Sequence, residues 1–148
     1  MNKASVVIIV ADGARPDTVA DAMRRGIVPE LSALRDEGAM HTITSVFPSV
    51  TGPAYAPFLM GRFPGPIGLP GLRWYDRERT TCRLPGHSRS YVGPEILHVD
   101  ADIDPAAPTI FELAGSSLAA VNVISRGLDR EHQIGRGLRA VARTARTH

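Results

Sequence analysis

The sequence predicts an α/β fold, a mostly parallel sheet flanked by helices, and three observations carry that reading. A continuous apolar, β-branched run, Ser5-Val-Val-Ile-Ile-Val-Ala11, stops at Asp12-Gly13, the pattern of a strand buried on both faces. Two stretches with helical spacing and helical punctuation come after it. A second strand-then-helix pair comes after those. The order strand, helix, helix, strand, helix suits a layered architecture, in which each element has an apolar face to cover.

Each element has its own local justification. After Pro16, the stretch Asp17 to Arg25 places Val19, Ala22 and Met23 at helical spacing, and Gly26 is its stop. Pro29 suits a first helical position, Leu31 and Leu34 share an inward face, and Gly38 closes that helix. Met40 to Phe47 alternates apolar and polar residues as a strand does, and Pro48 ends it. Ser49-Val-Thr-Gly-Pro53 then leads into a short apolar helix, Ala54 to Met60, stopped by Gly61. The middle of the chain changes character. Phe63 to Leu72 is dense in Gly and Pro, and Arg73 to Gly93 is polar and Arg-rich, so residues 73–107 read as a surface excursion, a hairpin or a lid. Order resumes with a short helix at Thr109 to Ala114 and a buried strand at Leu118 to Ile124. Residues 1–125 thus form one partial domain, and 126–148 a basic C-terminal segment.

Bulk composition sets outer bounds. The chain has 148 residues, 43% hydrophobic and 22% charged, with a formal net charge of +2, which fits a folded globular domain rather than a disordered one. Cys82 is the only cysteine, so an intrachain disulfide and a thiolate metal cluster are both excluded. The apolar run from Val6 to Ala11 is too short for a signal-peptide core or a membrane span. A cytoplasmic protein with no membrane partner is the expectation.

Two residues stand where chemistry would be placed. Asp12 comes directly after a strand, the position at which α/β folds present ligand-binding groups, and Gly13 permits close backbone approach. A carboxylate there can hold a metal ion or simply turn the chain. The haloacid-dehalogenase pattern needs a second Asp two residues on, and Ala14 stands there instead. Thr51 precedes Gly52-Pro53 and a helix, where free N–H groups favour phosphate and where a metal could activate the hydroxyl for attack. Thr is also a favoured helix N-cap, which is the structural alternative.

Taken together, these positions fall in a recognisable series. Val6-Val-Ile-Ile-Val-Ala-Asp-Gly-Ala-Arg-Pro-Asp17, Pro29-Glu-Leu-Ser-Ala-Leu34, Phe47-Pro-Ser-Val-Thr-Gly-Pro53 and Gly61-Arg-Phe-Pro-Gly-Pro-Ile-Gly68 occur in that order. The series resembles the N-terminal region of the type I phosphodiesterase and nucleotide pyrophosphatase family of the alkaline phosphatase superfamily. The first half of the chain carries it, and Ile124-Ser-Arg-Gly127 matches loosely. The resemblance implies the first part of an alkaline-phosphatase-like core. It implies Asp12 as a metal ligand, Thr51 as both nucleophile and metal ligand, and the Gly52 N–H as a contact to phosphate. The implied chemistry is hydrolysis of a small-molecule phosphodiester, phosphomonoester or nucleotide pyrophosphate. It would run through a phospho-threonine with two divalent metal ions, Zn2+.

Departures from the family pattern narrow the expectation. Met60 stands where relatives carry Thr, and Ala54 where they often carry an Asn that contacts phosphate, so substrate contacts differ here. The downstream Asp-x-x-x-His and Asp-His ligand pairs are missing; His132 lies three residues after Asp129. Asp12 and Thr51 therefore read as half of a two-metal site, in a fragment, a truncated product or one half of a split enzyme with a complementing C-terminal chain. The competing reading is a non-catalytic module that holds an anion at Gly52-Pro53 or docks a partner on the basic tail.

Other candidates read as structural. His41 belongs to a strand face or the surface, and His87 to solvent. His98-Val-Asp-Ala-Asp-Ile-Asp104 spaces carboxylates like the start of a calcium loop, but Pro105 and Phe111 occupy the positions that need Gly and Glu, leaving a solvated acidic loop. Trp74 and Tyr75, flanked by Arg73 and Arg77, suit either stacking on a base or sugar or a small local core. The tail arginines Arg126, Arg130, Arg136, Arg139, Arg143 and Arg146 lack the interleaved aromatics of a nucleic-acid binder, so nucleic acid is not an expected partner.

Overall fold

A computed structural model describes residues 5–78, 86–120 and 124–134. They belong to two units, Met1–Thr44 and Ser45–His148.

The first unit holds the two expected helices, α1 (Pro16–Arg24) and α2 (Pro29–Glu37), each with proline in its first turn. Local chemistry fixes both ends of α1. Arg15 donates from Nε and Nη2 to the Asp17 carboxylate at 3.1 and 2.8 Å, and that bond holds the exposed Asp17 below the usual carboxylate range. At the other end Gly26 adopts φ 68°. Its N–H donates to Met23 O and that of Ile27 to Ala22 O, the paired bonds of a Schellman stop. The Arg35 guanidinium reaches the Met23 sulfur at 3.9 Å and links the helices.

The strands expected in this unit do not form. Residues 5–11 have no ladder partner, and Val6, Val7 and Ile9 are all more than 80% exposed. Residues 40–47 also lack a ladder, with Ile43 exposed. An apolar, β-branched run reports how well a segment fits a sheet, but a strand exists only where another supplies its hydrogen bonds. The described residues supply none.

The second unit holds the core. A 3₁₀ turn, Pro53–Tyr55, runs into α3 (Ala56–Met60), and Gly61, at φ 62°, ends it in the left-handed conformation. Strand β1 (Arg73–Tyr75) pairs antiparallel with β2 (Ser88–Ser90), with Trp74 opposite Arg89. A second 3₁₀ segment, Gly93–His98, continues into α4 (Val99–Asp102). Then come α5 (Ile110–Leu113), β3 (Ala119–Ala120), a 3₁₀ turn at Arg130–His132 and β4 (Gln133–Ile134). Strands β3 and β4 run parallel over two residue pairs. The chain is thus a mixed helix-and-strand protein with small sheets. Beyond that two-residue pair, no parallel sheet is present among the described residues, and the rest of the strand expected at Leu118 to Ile124 falls on residues 121–123, outside them.

Leu59, Met60, Ile67, Leu69, Tyr91, Val99, Ile103, Ala107 and Ile124 pack into one buried cluster, flanked by Trp74, Ile110 and Phe111. This corrects the surface excursion expected over 73–107, since four of those core residues come from it. The Arg-rich composition hid them because the arginine at its centre, Arg89, is itself buried and neutralised. Arg89 Nε lies 2.9 Å from Asp102 Oδ1, and Nη1 donates to the Gly86 and Ser88 carbonyls.

The helix at 110–113 is set by a capping box. Thr109 Oγ1 accepts from the Glu112 N–H while Glu112 Oε2 accepts from the Thr109 N–H at 2.7 Å. Arg126, read from sequence as the start of a basic tail, closes this corner. It donates to Glu112 Oε2 and to the carbonyls of Ile103, Asp104 and Ala107. The Thr109 N–H bond, opposed by desolvation and aided by Arg126, lowers the Glu112 pKa. A carboxyl depressed in the folded state stabilises the fold above its unfolded pKa and loses that contribution as pH falls through the folded value. Wild-type protein should therefore lose melting temperature on acidification below about pH 4.3, the ordinary Glu value. Glu112→Gln should show a shallower loss there and a lower Tm at neutral pH, read by thermal denaturation at each pH. An unchanged acid slope would contradict the assignment.

Candidate functional site

Asp12 and Gly13 form the centre of a tight turn in the first unit. The Ala14 N–H donates to Ala11 O at 3.2 Å, and Gly13 takes φ 80°, a backbone position that favours glycine. Asp12 is exposed on this turn. Its carboxylate can act as an oxygen ligand, and the geometry equally explains why Asp-Gly is used to turn the chain.

Thr51 belongs to the second unit and is also exposed. The N-cap of the following helix is Gly52, with Thr51 one residue earlier. Two backbone bonds bracket the turn: Ala54 N–H to Val50 O at 3.1 Å and Tyr55 N–H to Gly52 O at 2.9 Å. Gly52 is buried at φ 99° and ψ −80°. A Cβ placed there would come within 2.4 Å of the Tyr91 ring, and Tyr91 is only 1% exposed. The hydroxyl-bearing residue thus faces solvent, while the residue after it is pressed onto a buried aromatic ring. Sequence reasoning did not single out Tyr91. Its one local signal is an apolar pair, Tyr91-Val92, before Gly93-Pro94.

The remaining candidates settle as structural groups. Tyr75 stacks on His87 with centroids 5.1 Å apart, and His87 Nδ1 lies 2.7 Å from the Asp76 carbonyl, so His87 is held in place rather than solvated. Trp74 packs on the core. An open groove of about 520 Å³ runs beside them, lined by Trp74, Tyr75, Asp76, Glu78, Asp102 and Asp104 among others, and Thr51 does not line it. The acidic stretch is no free loop. Asp100 accepts from the Ser125 N–H and hydroxyl at 2.8 and 2.6 Å, Asp102 pairs with Arg89, and Asp104 Oδ1 accepts from the Ala106 N–H. His41 is exposed. Arg136, Arg139, Arg143 and Arg146 lie outside the described residues.

Metal binding can be tested against these positions. Among the described residues, no three His, Cys, Asp or Glu side chains gather where one ion could be held. Asp12 and Thr51 offer two oxygen ligands in separate units, which falls short of the donor set two ions require. No helix among the described residues is long and apolar enough to cross a membrane.

Asp12 and Thr51 thus each stand exposed beside a positive-φ glycine, one in each unit of a mixed helix-and-strand chain. The family model of the type I phosphodiesterases and nucleotide pyrophosphatases matches residues 6–116, which include Asp12 and Thr51, and the chain belongs to that family. Comparison with curated proteins and with solved structures returned no match. Membership implies, at the family level, phosphodiesterase or pyrophosphatase-type hydrolysis of a small-molecule phosphoester.

Proposed function

We propose that this chain contributes to phosphoester hydrolysis with Thr51 as the attacking group, in the N-terminal part of an alkaline-phosphatase-like fold. The family match across residues 6–116 carries this reading, and the exposed position of Thr51 on a fixed turn supports it. In the proposed reaction, Thr51 Oγ forms a bond to phosphorus as its proton leaves. The ester oxygen departs as an alcohol, and water then hydrolyses the phospho-threonine. The Gly52 N–H is assigned to a phosphate oxygen. Asp12 and Thr51 are assigned as ligands of divalent metal, with Zn2+ as the proposed ion. A complementing C-terminal polypeptide is proposed as a source of further ligands. The lone cysteine fits a reducing compartment, and the reaction is assigned to the cytoplasm.

The test measures release of p-nitrophenolate from bis(p-nitrophenyl) phosphate by the full chain with zinc, beside the monoester p-nitrophenyl phosphate. Slow turnover is expected of this chain by itself, and Thr51→Ala should lower it to the rate of zinc-containing buffer. Undiminished turnover in that variant would remove Thr51 as nucleophile. Inorganic phosphate binding without turnover in either protein would favour the non-catalytic, anion-binding reading.

A further inference from the structure

We propose that Tyr91 is the positioning residue that sets the orientation of Thr51, an inference that rests on the nucleophile reading above. Its basis is the contact of Tyr91 with Gly52, a residue far from it in sequence. The Gly52 hydrogen that a side chain would replace points at the Tyr91 ring, where a Cβ would lie 2.4 Å from Cε1, 2.5 Å from Cδ1 and 2.7 Å from Cγ. No side chain fits between them. The Gly52 Cα therefore abuts the ring, and a shift of the ring bears on the backbone directly after Thr51.

Tyr91 is suited to this role because it is itself fixed from several directions. Its N–H donates to Leu72 O at 2.8 Å, extending the β1–β2 pairing. Ser90 locks the chain on one side, with its hydroxyl donating to Val92 O at 2.7 Å and accepting from the Val92 N–H at 3.1 Å. Arg89 anchors the preceding position through Asp102. The ring belongs to the buried cluster with Ala56, Leu59 and Met60 of α3, the helix that comes after the Thr51 turn. A displacement of about 1 Å at a reacting group can cost about a hundredfold in rate, so a ring that fixes this turn affects turnover without touching substrate.

The experiment compares Tyr91→Phe, Tyr91→Leu and Thr51→Ala with the wild-type full chain. It records kcat and KM for bis(p-nitrophenyl) phosphate with zinc, and the Gly52 Hα chemical shift by NMR. Tyr91→Phe keeps the ring and should retain kcat within about twofold, with the ring-current shift at Gly52 unchanged. Tyr91→Leu should abolish that shift and lower kcat about a hundredfold, with KM within about threefold. Wild-type kcat in a folded Tyr91→Leu variant, with Thr51→Ala inactive, would overturn the positioning role and leave the nucleophile reading standing. Full activity in Thr51→Ala would instead overturn the nucleophile reading, and the positioning role with it. If Tyr91→Leu does not fold, Tyr91→Phe decides: an unshifted Gly52 Hα with retained kcat supports the role, and a lost shift with retained kcat overturns it.

Discussion

Gly52→Ala should both destabilise the protein and remove the hydrolytic activity proposed for it. Two costs add at this position. The backbone sits at φ 99°, where an L side chain costs about 1–2 kcal/mol. The added methyl would also overlap the buried Tyr91 ring, at 2.4 Å, and overpacking of this kind costs about 1–3 kcal/mol. Together about 2–5 kcal/mol of unfolding free energy should be lost, measurable by urea denaturation. Tyr91 cannot easily yield, because it is 1% exposed and anchored through its own backbone. The double variant Gly52→Ala/Tyr91→Leu should recover the packing part of the loss and leave the backbone part. A single variant as stable as wild type would show that the ring does not press on the turn.

Arg89→Ala carries the second large expected effect. The guanidinium is 3% exposed and pairs with Asp102, itself 10% exposed, at 2.9 Å, with Asp76 3.8 Å away. Removing one partner of a buried pair leaves the other charge desolvated, at a cost of about 3–5 kcal/mol. The pair as a whole need not stabilise by that amount, since replacing both members with apolar residues is often neutral. Arg89→Met/Asp102→Leu should therefore be markedly more stable than Arg89→Ala, and a double-mutant cycle by urea denaturation would measure the coupling. Equal stability of Arg89→Ala and wild type would mean that the ion pair does not support the β1–β2 corner. Because Arg89 and Tyr91 are near neighbours in the chain, the same variant should also disturb the Gly52 contact.

These two cases show which parts of the protein its sequence makes legible. Helices α1 and α2 were readable because their signals are local: proline at the start, glycine at the stop, and apolar residues at helical spacing. The ordered blocks around Asp12 and Thr51 were readable for a similar reason, and the family match spans them. What depends on distant partners was not readable. The run at 6–10 has the composition of a central strand, yet nothing local says which segment would pair with it. The acidic stretch at 98–104 looked solvated because Ser125 and Arg89, which bind Asp100 and Asp102, stand far away in sequence. Arg126 looked like the start of a tail, although its guanidinium closes a corner of carbonyl groups. Tyr91 lay hidden in an Arg-rich stretch, and only the approach of Gly52 to its ring gives it a role.

The central claim is that Thr51 forms the covalent bond to phosphorus, and the most direct measurement is the mass of the Thr51 peptide. The full chain is incubated with zinc and substrate, quenched in acid and digested. With p-nitrophenyl phosphate, the peptide should carry one phosphoryl group on Thr51. With the diester it should carry a p-nitrophenylphosphoryl group, and neither should appear in Thr51→Ala. Release of p-nitrophenolate with the label on another residue, or an unmodified Thr51 peptide under single-turnover conditions, would contradict the account.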